Sequence, residues 1–393
     1  MRPFEQLDFY ASDDLFTEEE RMVRDTVRAF VSEQVLPLIT EHYRAGKFPK
    51  QLIAPMGELG LFGANLQGYD CAGMNNIAYG LIMQELERGD SGLRSFVSVQ
   101  GALCMYPIYA FGSEAQKQKY LPGMAKGDII GCFGLTEADF GSNPGGMITR
   151  AEKKGDKYIL NGEKMWISNG TQADIAIIWA KLDDKVRGFI VDTKSDGYKA
   201  VEIKGKLSLR ASDTAELFFD NVEVPAENLL PEVEGLKGPL SCLSQARYGI
   251  AWGGLGAAIG CFDEALNYAK SRIQFDRPIA GFQLVQNKLT WMATEITKAQ
   301  LLIHRLGVLK DQGKIKPHQI SMAKMNNVKV GLECARKTRD ILGGSGILDE
   351  YSCMRHMCNL ESVYTYEGTH DIHKLIVGHA LTGIPAYAQY QPV

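Results

Sequence analysis

The chain has 393 residues, 45% of them hydrophobic, enough to bury a large core in two or three domains. Its formal net charge of −4, from 43 basic and 47 acidic residues with no long basic run, excludes a nucleic-acid surface, because phosphate binding needs a basic stripe. Any anionic ligand must therefore be held by local groups.

The start, MRPFEQLDFYASDDLF, is acidic and lacks the apolar core of a signal peptide and the Arg/Ser bias of a transit peptide, which predicts a cytoplasmic protein or one already processed. From residue 17 to about 130 the pattern is helical. It opens on a capping signal, Thr17 followed by Glu18 to Glu20, ahead of the periodic run MVRDTVRAFVSEQVLPLI. Glycine and proline at 55–63 divide this region into several helices. Between 131 and about 231 the character changes to short β-rich runs separated by turn residues, such as YILNGEKMWISNG, ADIAIIWAKL and AELFFDNVEVP. After Leu240 helices return, and Leu289, Met292, Ile296, Ala299, Ile303 and Leu306 step by three and four, the seam of a long helix in an antiparallel bundle. The predicted fold is α+β and mostly α: an N-terminal helical domain (1–130), a central β domain (131–235) and a C-terminal four-helix bundle (236–393).

The eight cysteines, among them Cys71, Cys132, Cys261 and Cys358, form no C-x-x-C pair and no zinc pattern, so they read as free thiols in a reducing compartment. The uncharged stretch 248–262 is shorter than the roughly 20 apolar residues of a membrane span and is rich in glycine, and no span is expected. Its WGGLGAAIG run has neither the preceding strand nor the spacing of a dinucleotide fingerprint. Those small residues predict close helix packing instead.

Two distant stretches fit one chemistry. FGLTEADFGSNP (133–144) is a polar, glycine-punctuated turn able to wrap a planar ligand: Thr136 and Ser142 carry hydroxyls and Gly141 lets backbone approach. In KMWISNG, Trp166 offers a flat face, with Ser168 two residues on. TYEGTHDIH (365–373) presents one carboxylate, Glu367, before Gly368. Proton removal next to a thioester carbonyl needs a close, poorly solvated base and donors for the enolate oxygen, and this turn can supply both the carboxylate and its own N–H. Read alone, Glu367 is equally a solvated loop glutamate. His370, Asp371 and His373 lie close in sequence but lack a third or fourth ligand, so no metal is expected.

These stretches resemble the flavin loop and catalytic-base turn of the acyl-CoA dehydrogenases, and over nearly the whole chain the subgroup most resembled is the glutaryl-CoA dehydrogenases. The resemblance implies FAD, an acyl-CoA substrate, electron transfer to an electron-transferring flavoprotein, and a homotetramer. It implies that Glu367 is the base, with its N–H and a flavin ribityl hydroxyl sharing the thioester oxygen between Tyr366 and Gly368 of the turn. It implies that Phe133, Leu135, Thr136, Gly141 and Ser142, with Trp166, Ile167 and Ser168, line the flavin ring, and that Thr369 and Asp371 stand on the flavin side of the turn. RIQFDRPI and RDILGGSGI would serve a neighbouring subunit's flavin through Arg272, Phe275, Gln283, Asp340, Gly343 and Gly344. Many members of the family carry Ser-Glu where this chain has His370-Asp371, and Asp where it has Asn143.

Substrate choice turns on ELERGDSGLRS. A simple fatty acyl chain wants an apolar pocket, whereas a dicarboxylyl chain wants a cation. Arg94 offers a guanidinium and Ser95 a hydroxyl; on composition alone Arg94 is as well a surface partner of Glu85, Glu87 or Asp90. The resemblance implies that Arg94 binds the distal carboxylate of glutaryl-CoA, with Glu87 nearby. It also implies that the segment 243–250, with Leu243, Arg247, Tyr248 and Ile250, borders the CoA arm, although Arg247 has a structural reading too. The implied reaction is oxidation of glutaryl-CoA to enzyme-bound glutaconyl-CoA and decarboxylation to crotonyl-CoA. Alternatives are a non-decarboxylating glutaryl-CoA or short-chain acyl-CoA dehydrogenase, a flavin oxidase, or a non-catalytic scaffold.

Overall fold

The computed structural model describes residues 4, 6 and 8–386. Helices come first: α1 (Glu18–Phe30), α2 (Leu36–Ala45), α3 (Ile53–Glu58), α4 (Asn76–Gly89), α5 (Ser91–Ser98), α6 (Tyr106–Phe111) and α7 (Glu114–Lys126). The expected cap is present at α1, where the Thr17 hydroxyl accepts from the Glu20 N–H and the Glu20 carboxylate accepts from the Thr17 N–H. These bonds satisfy amides that a helix start leaves open.

Seven strands follow: β1 (Gly131–Gly134), β2 (Arg150–Lys154), β3 (Lys157–Ser168), β4 (Ile175–Leu182), β5 (Lys185–Asp192), β6 (Tyr198–Glu202) and β7 (Thr214–Pro225). They form one sheet in the order β1-β4-β2-β3-β7-β6, with β5 paired to β4. Alternating residues of these strands, including Leu160, Ile178, Phe189, Leu217 and Val222, make its buried cluster. The chain returns to helix in α8 (Lys237–Ser271), turns through a short hairpin of β8 (Ile273–Gln274) and β9 (Arg277–Pro278), and continues as α9 (Gln283–Asp311), α10 (Pro317–Ile341), α11 (Cys353–Thr365) and α12 (His370–Thr382). This is the mostly helical α+β architecture that the pattern of residues predicts.

By contact the chain divides into two compact units, residues 1–32, 76–91 and 247–393 in a helical one, and residues 33–75 and 92–246 in one that contains the sheet. In the helical unit the six seam residues of α9 are all buried. The glycines of α8 explain how its neighbours come close. A Cβ on Gly256 would stand 1.9 Å from the Gln84 carbonyl oxygen of α4, and one on Gly254 would stand 2.8 Å from the Val328 nitrogen of α10. In return, a Cβ on Gly331 of α10 would stand 2.7 Å from the Gly254 carbonyl oxygen. Backbone therefore packs on backbone, as the small-residue run predicts.

All eight cysteines are free thiols. Among the described residues no helix is long and apolar enough to cross a membrane.

Gly256→Ala forces a methyl into the α4 backbone and is expected to destabilise the protein by about 1–3 kcal/mol. Gly378→Ala, on α12 where no atom lies within 4 Å of the added methyl, is expected to be neutral or stabilising by up to about 1 kcal/mol. Urea unfolding of the two variants measures the contrast.

Candidate active site

Glu367 lies between α11 and α12, in the helical unit, with its backbone in the left-handed region at φ 52°, followed by Gly368 at 93°. A non-glycine residue is uncommon there, and side chains hold it in place. Arg247 Nε donates to the Glu367 carbonyl at 2.7 Å, and Lys324 Nζ donates to the Tyr366 and Gly368 carbonyls, each at 2.9 Å. Three consecutive carbonyls thus accept from two cations. Lys324 is 1% exposed; burial works against the Arg247 charge, and Glu367 supports it.

Gly368 is held to its identity from two sides. Its φ disfavours any side chain, and a Cβ would meet the His373 ring at 3.0 Å. His373 is itself fully buried, with Nδ1 3.1 Å from Ser321 Oγ. Burial, then Lys324 and Arg247, push its pKa down to about 3, so the ring is neutral.

The rest of the turn serves α12. The Thr369 hydroxyl caps the helix by accepting from the Ile372 N–H at 3.2 Å. His370 is buried and stacks on Tyr364 at 4.2 Å between centroids, while Asp371 is exposed and pairs with Lys374 at 2.9 Å. The two histidines and the aspartate of this motif therefore go to three separate partners. Among the described residues no three His, Cys, Asp or Glu side chains gather as a metal site.

In the sheet-containing unit, Phe133 and Leu135 are buried, Thr136 is half-buried, and Gly141 and Ser142 are exposed, with no atom within 4 Å of where a Gly141 Cβ would stand. The loop is pinned by a side chain that sequence reasoning passed over. Glu137 accepts from the Ile148 N–H at 2.7 Å, the Thr149 N–H at 3.1 Å and Lys164 Nζ at 2.8 Å, and Lys164 also donates to the Leu135 carbonyl at 3.1 Å. Burial pulls the Lys164 pKa down to about 8 against Glu137. Burial pushes Glu137 up, but Lys164 and the loop amides outweigh it, and the net direction is down.

Two residues beyond Lys164, β3 bulges against β7 between Lys164 and Ile167, and Trp166 takes φ 64° with its side chain 58% exposed. A bulky residue in this conformation is strained and points to function. Ser168 is half-buried, whereas Ile167 belongs to the buried cluster of the sheet, leaving only its backbone to a ligand.

Arg94 on α5 is 0% exposed and Ser95 is 4% exposed, so the reading of Arg94 as a surface arginine fails. The acidic residues named beside it are engaged in the helical unit. Glu85 accepts from Arg28 and Arg88, both at 2.8 Å, Asp90 from Arg355 at 2.7 Å, and the buried Glu87 from the Ser91 hydroxyl.

Arg272 and Gln283 are exposed around the β8–β9 hairpin, whose tip residues Phe275 and Asp276 have φ 49° and 59°, as a tight hairpin turn requires. Phe275 is 86% exposed. Gly343 and Gly344 are exposed with open space where a Cβ would stand, while Asp340 pairs with Lys288. On α8, Leu243 is half-buried, but Tyr248 and Ile250 are fully buried; the Tyr248 hydroxyl donates to the Asn76 carbonyl at 2.7 Å and its ring stacks on Tyr79. These two side chains are part of the helical core.

Lys324 and Lys164 carried one readable signal: each interrupts an apolar stripe of α10 or β3 with a long cation. Glu137 carried none, since its partners meet only in the fold.

Three family models match the chain: acyl-CoA dehydrogenase N-terminal domain over residues 17–128, middle domain over 132–222, and C-terminal domain over 234–382. A glutaryl-CoA dehydrogenase of Desulfococcus multivorans is 36% identical, covering 94% of this chain and 97% of its own length. The crystal structure of glutaryl-CoA dehydrogenase from Mycobacterium smegmatis is 54% identical with a TM-score of 0.94, covering 96% of this chain and 97% of that one. A structure of a glutaryl-CoA dehydrogenase from the same organism in complex with FADH2 is 52% identical with a TM-score of 0.96, covering 97% and 99%.

Glu137→Gln strands the buried Lys164 charge and is expected to destabilise the protein by about 3–5 kcal/mol, with part of the loss recovered in the double variant Glu137→Leu, Lys164→Met, which leaves no stranded charge. Because the folded-state pKa of Glu137 is depressed, its contribution is present above the ordinary glutamate range and is lost as acid titrates it. Urea unfolding at neutral and acid pH checks both statements.

Proposed function

This chain belongs to the acyl-CoA dehydrogenase family, and from that premise we propose that it is an FAD-dependent glutaryl-CoA dehydrogenase of the decarboxylating kind. The observation that carries the substrate choice is Arg94. A guanidinium with no exposed surface costs several kcal/mol of desolvation that a simple apolar acyl pocket does not require. A dicarboxylyl chain is the kind of substrate that such a charge can bind.

The residues fit the cofactor. The open space beside Gly141, Gly343 and Gly344 admits a ligand close to backbone. The hydroxyls of Thr136, Ser142 and Ser168 and the exposed face of Trp166 suit an isoalloxazine, and the charge of Arg272 and the exposed face of Phe275 suit the pyrophosphate end of a neighbouring subunit's flavin. The neighbour bound to FADH2 supports the same reading. FAD, when bound, supplies the acceptor for the hydride that leaves the β-carbon.

The chain's own residues do the rest. The Glu367 carboxylate takes the α-proton while its N–H donates to the thioester oxygen, so that base and oxyanion donor sit on one residue. Arg94 holds the γ-carboxylate of the substrate by charge-assisted hydrogen bonds, with Ser95 beside it. After oxidation the γ-carboxylate leaves as CO2, its bonding electron pair passes into the thioester as a dienolate, and the protonated Glu367 returns its proton to give crotonyl-CoA. One carboxyl group acts first as base and then as acid. The same proposal includes an electron-transferring flavoprotein as acceptor, a homotetramer, the division into domains at 1–130, 131–235 and 236–393, and a cytoplasmic setting, which the eight free thiols suit.

Glu367→Gln keeps the shape of the turn and removes the base: flavin content is expected to match the parent, with turnover of glutaryl-CoA lost. Near-normal turnover refutes the assignment. Arg94→Gln is expected to reduce kcat/KM for glutaryl-CoA by about 2–5 kcal/mol in transition-state terms while sparing butyryl-CoA by comparison. Equal losses on both substrates refute a carboxylate-binding role.

A further inference from the structure

We infer that Lys324 is a positioning residue for the oxyanion donor: its ammonium, bound to the Tyr366 carbonyl, aims and polarises the Glu367 N–H through the peptide bond that the two residues share. The inference rests on the reading of Glu367 as base and donor, and adds a part to it.

The geometry is specific. In a trans peptide the carbonyl of one residue and the N–H of the next point in opposite directions. Lys324 Nζ lies 2.9 Å from the Tyr366 oxygen, so the Glu367 N–H is directed away from the ammonium. The second bond, to the Gly368 oxygen at 2.9 Å, holds the far side of the turn with the same nitrogen. Between them Arg247 fixes the Glu367 carbonyl, with the Glu367 backbone in the left-handed region.

Polarisation follows from charge. A cation on a peptide oxygen draws electron density from the nitrogen, and hydrogen bonds in series strengthen one another, the more so at low dielectric. Lys324 is 1% exposed, and the neighbouring His373 is neutral and adds no second charge. The developing negative charge on a thioester oxygen therefore meets an N–H made more acidic from behind. Lys324 touches neither substrate nor cofactor in this scheme. It acts through the peptide.

Two variants test this on the flavin-loaded protein. Lys324→Gln keeps neutral donors near the carbonyls, and Lys324→Met removes them. Whole loss of one oxyanion donor lowers kcat by about 10²–10³-fold, and an indirect effect through one peptide is expected at about 10- to 100-fold. KM should change little in either variant.

The separating readout is acetoacetyl-CoA, whose enolate absorbs in the near ultraviolet and forms without hydride transfer. Bound to the parent, its enolate should form at lower pH than in either variant, with Lys324→Met shifted further than Lys324→Gln. Variants that keep flavin, melting temperature and the parent's enolate titration overturn the inference. If Lys324→Met does not fold, Lys324→Gln alone decides by the same titration. Failure of the underlying reading looks different, since the parent itself then turns over no acyl-CoA.

Discussion

The turn that carries Glu367, in the helical unit, depends on one constraint: its strained backbone is gripped by cations from two different helices. Arg247 comes from α8 and Lys324 from α10, and between them they take the carbonyls of residues 366, 367 and 368. The grip requires the two helices to lie at a fixed and short separation. That separation is set by glycine, since Gly254 and Gly331 let the α8 and α10 backbones touch. The contacts climb both helices together, from Ala251 with Asn327 to Cys261 with Thr338, so α8 and α10 run in the same direction. Each cation sits about two helical turns before its glycine, which brings both to the same end of the pair. Packing, backbone strain and chemistry are thus one arrangement: a methyl at Gly254 would move the clamp.

The 133–144 loop of the sheet-containing unit is built on the same physical idea with a different pair. A loop rich in glycine and polar residues has little core of its own, and here one buried ion pair, Glu137 with Lys164, ties residues 135, 148 and 149 to β3. Lys164 precedes the bulge that presents Trp166. A buried pair is weak evidence for stability but strong evidence for register, because breaking it strands a charge. The exposed ring and the pinned loop are therefore held from a single point on one strand.

Much of this was legible in the residues. Apolar period gave away the α9 seam, Thr17 with Glu20 the start of α1, and the small residues of WGGLGAAIG their packing role, because each signal is local and its cause lies within a few residues. The turn at Glu367 was legible because Gly368 follows it, and glycine marks such a backbone. What could not be read were the partners that only the fold supplies. Lys324 lies far from Glu367 in sequence, and nothing in the sequence shows that the Thr369 hydroxyl caps α12. Tyr248 and Ile250 follow Arg247 closely in sequence, but the turn of the helix sends them into the core. Arg94 showed the opposite limit: composition alone allowed a surface position, which its burial rules out.

The most direct measurement is anaerobic mixing of the flavin-loaded protein with glutaryl-CoA, following the flavin absorbance and identifying the CoA product by mass. A decarboxylating glutaryl-CoA dehydrogenase bleaches its flavin and yields crotonyl-CoA with CO2. Glutaconyl-CoA as the final product would remove the decarboxylation and keep the oxidation. Bleaching by butyryl-CoA and not by glutaryl-CoA would contradict the central claim, leaving Arg94 as a buried structural charge.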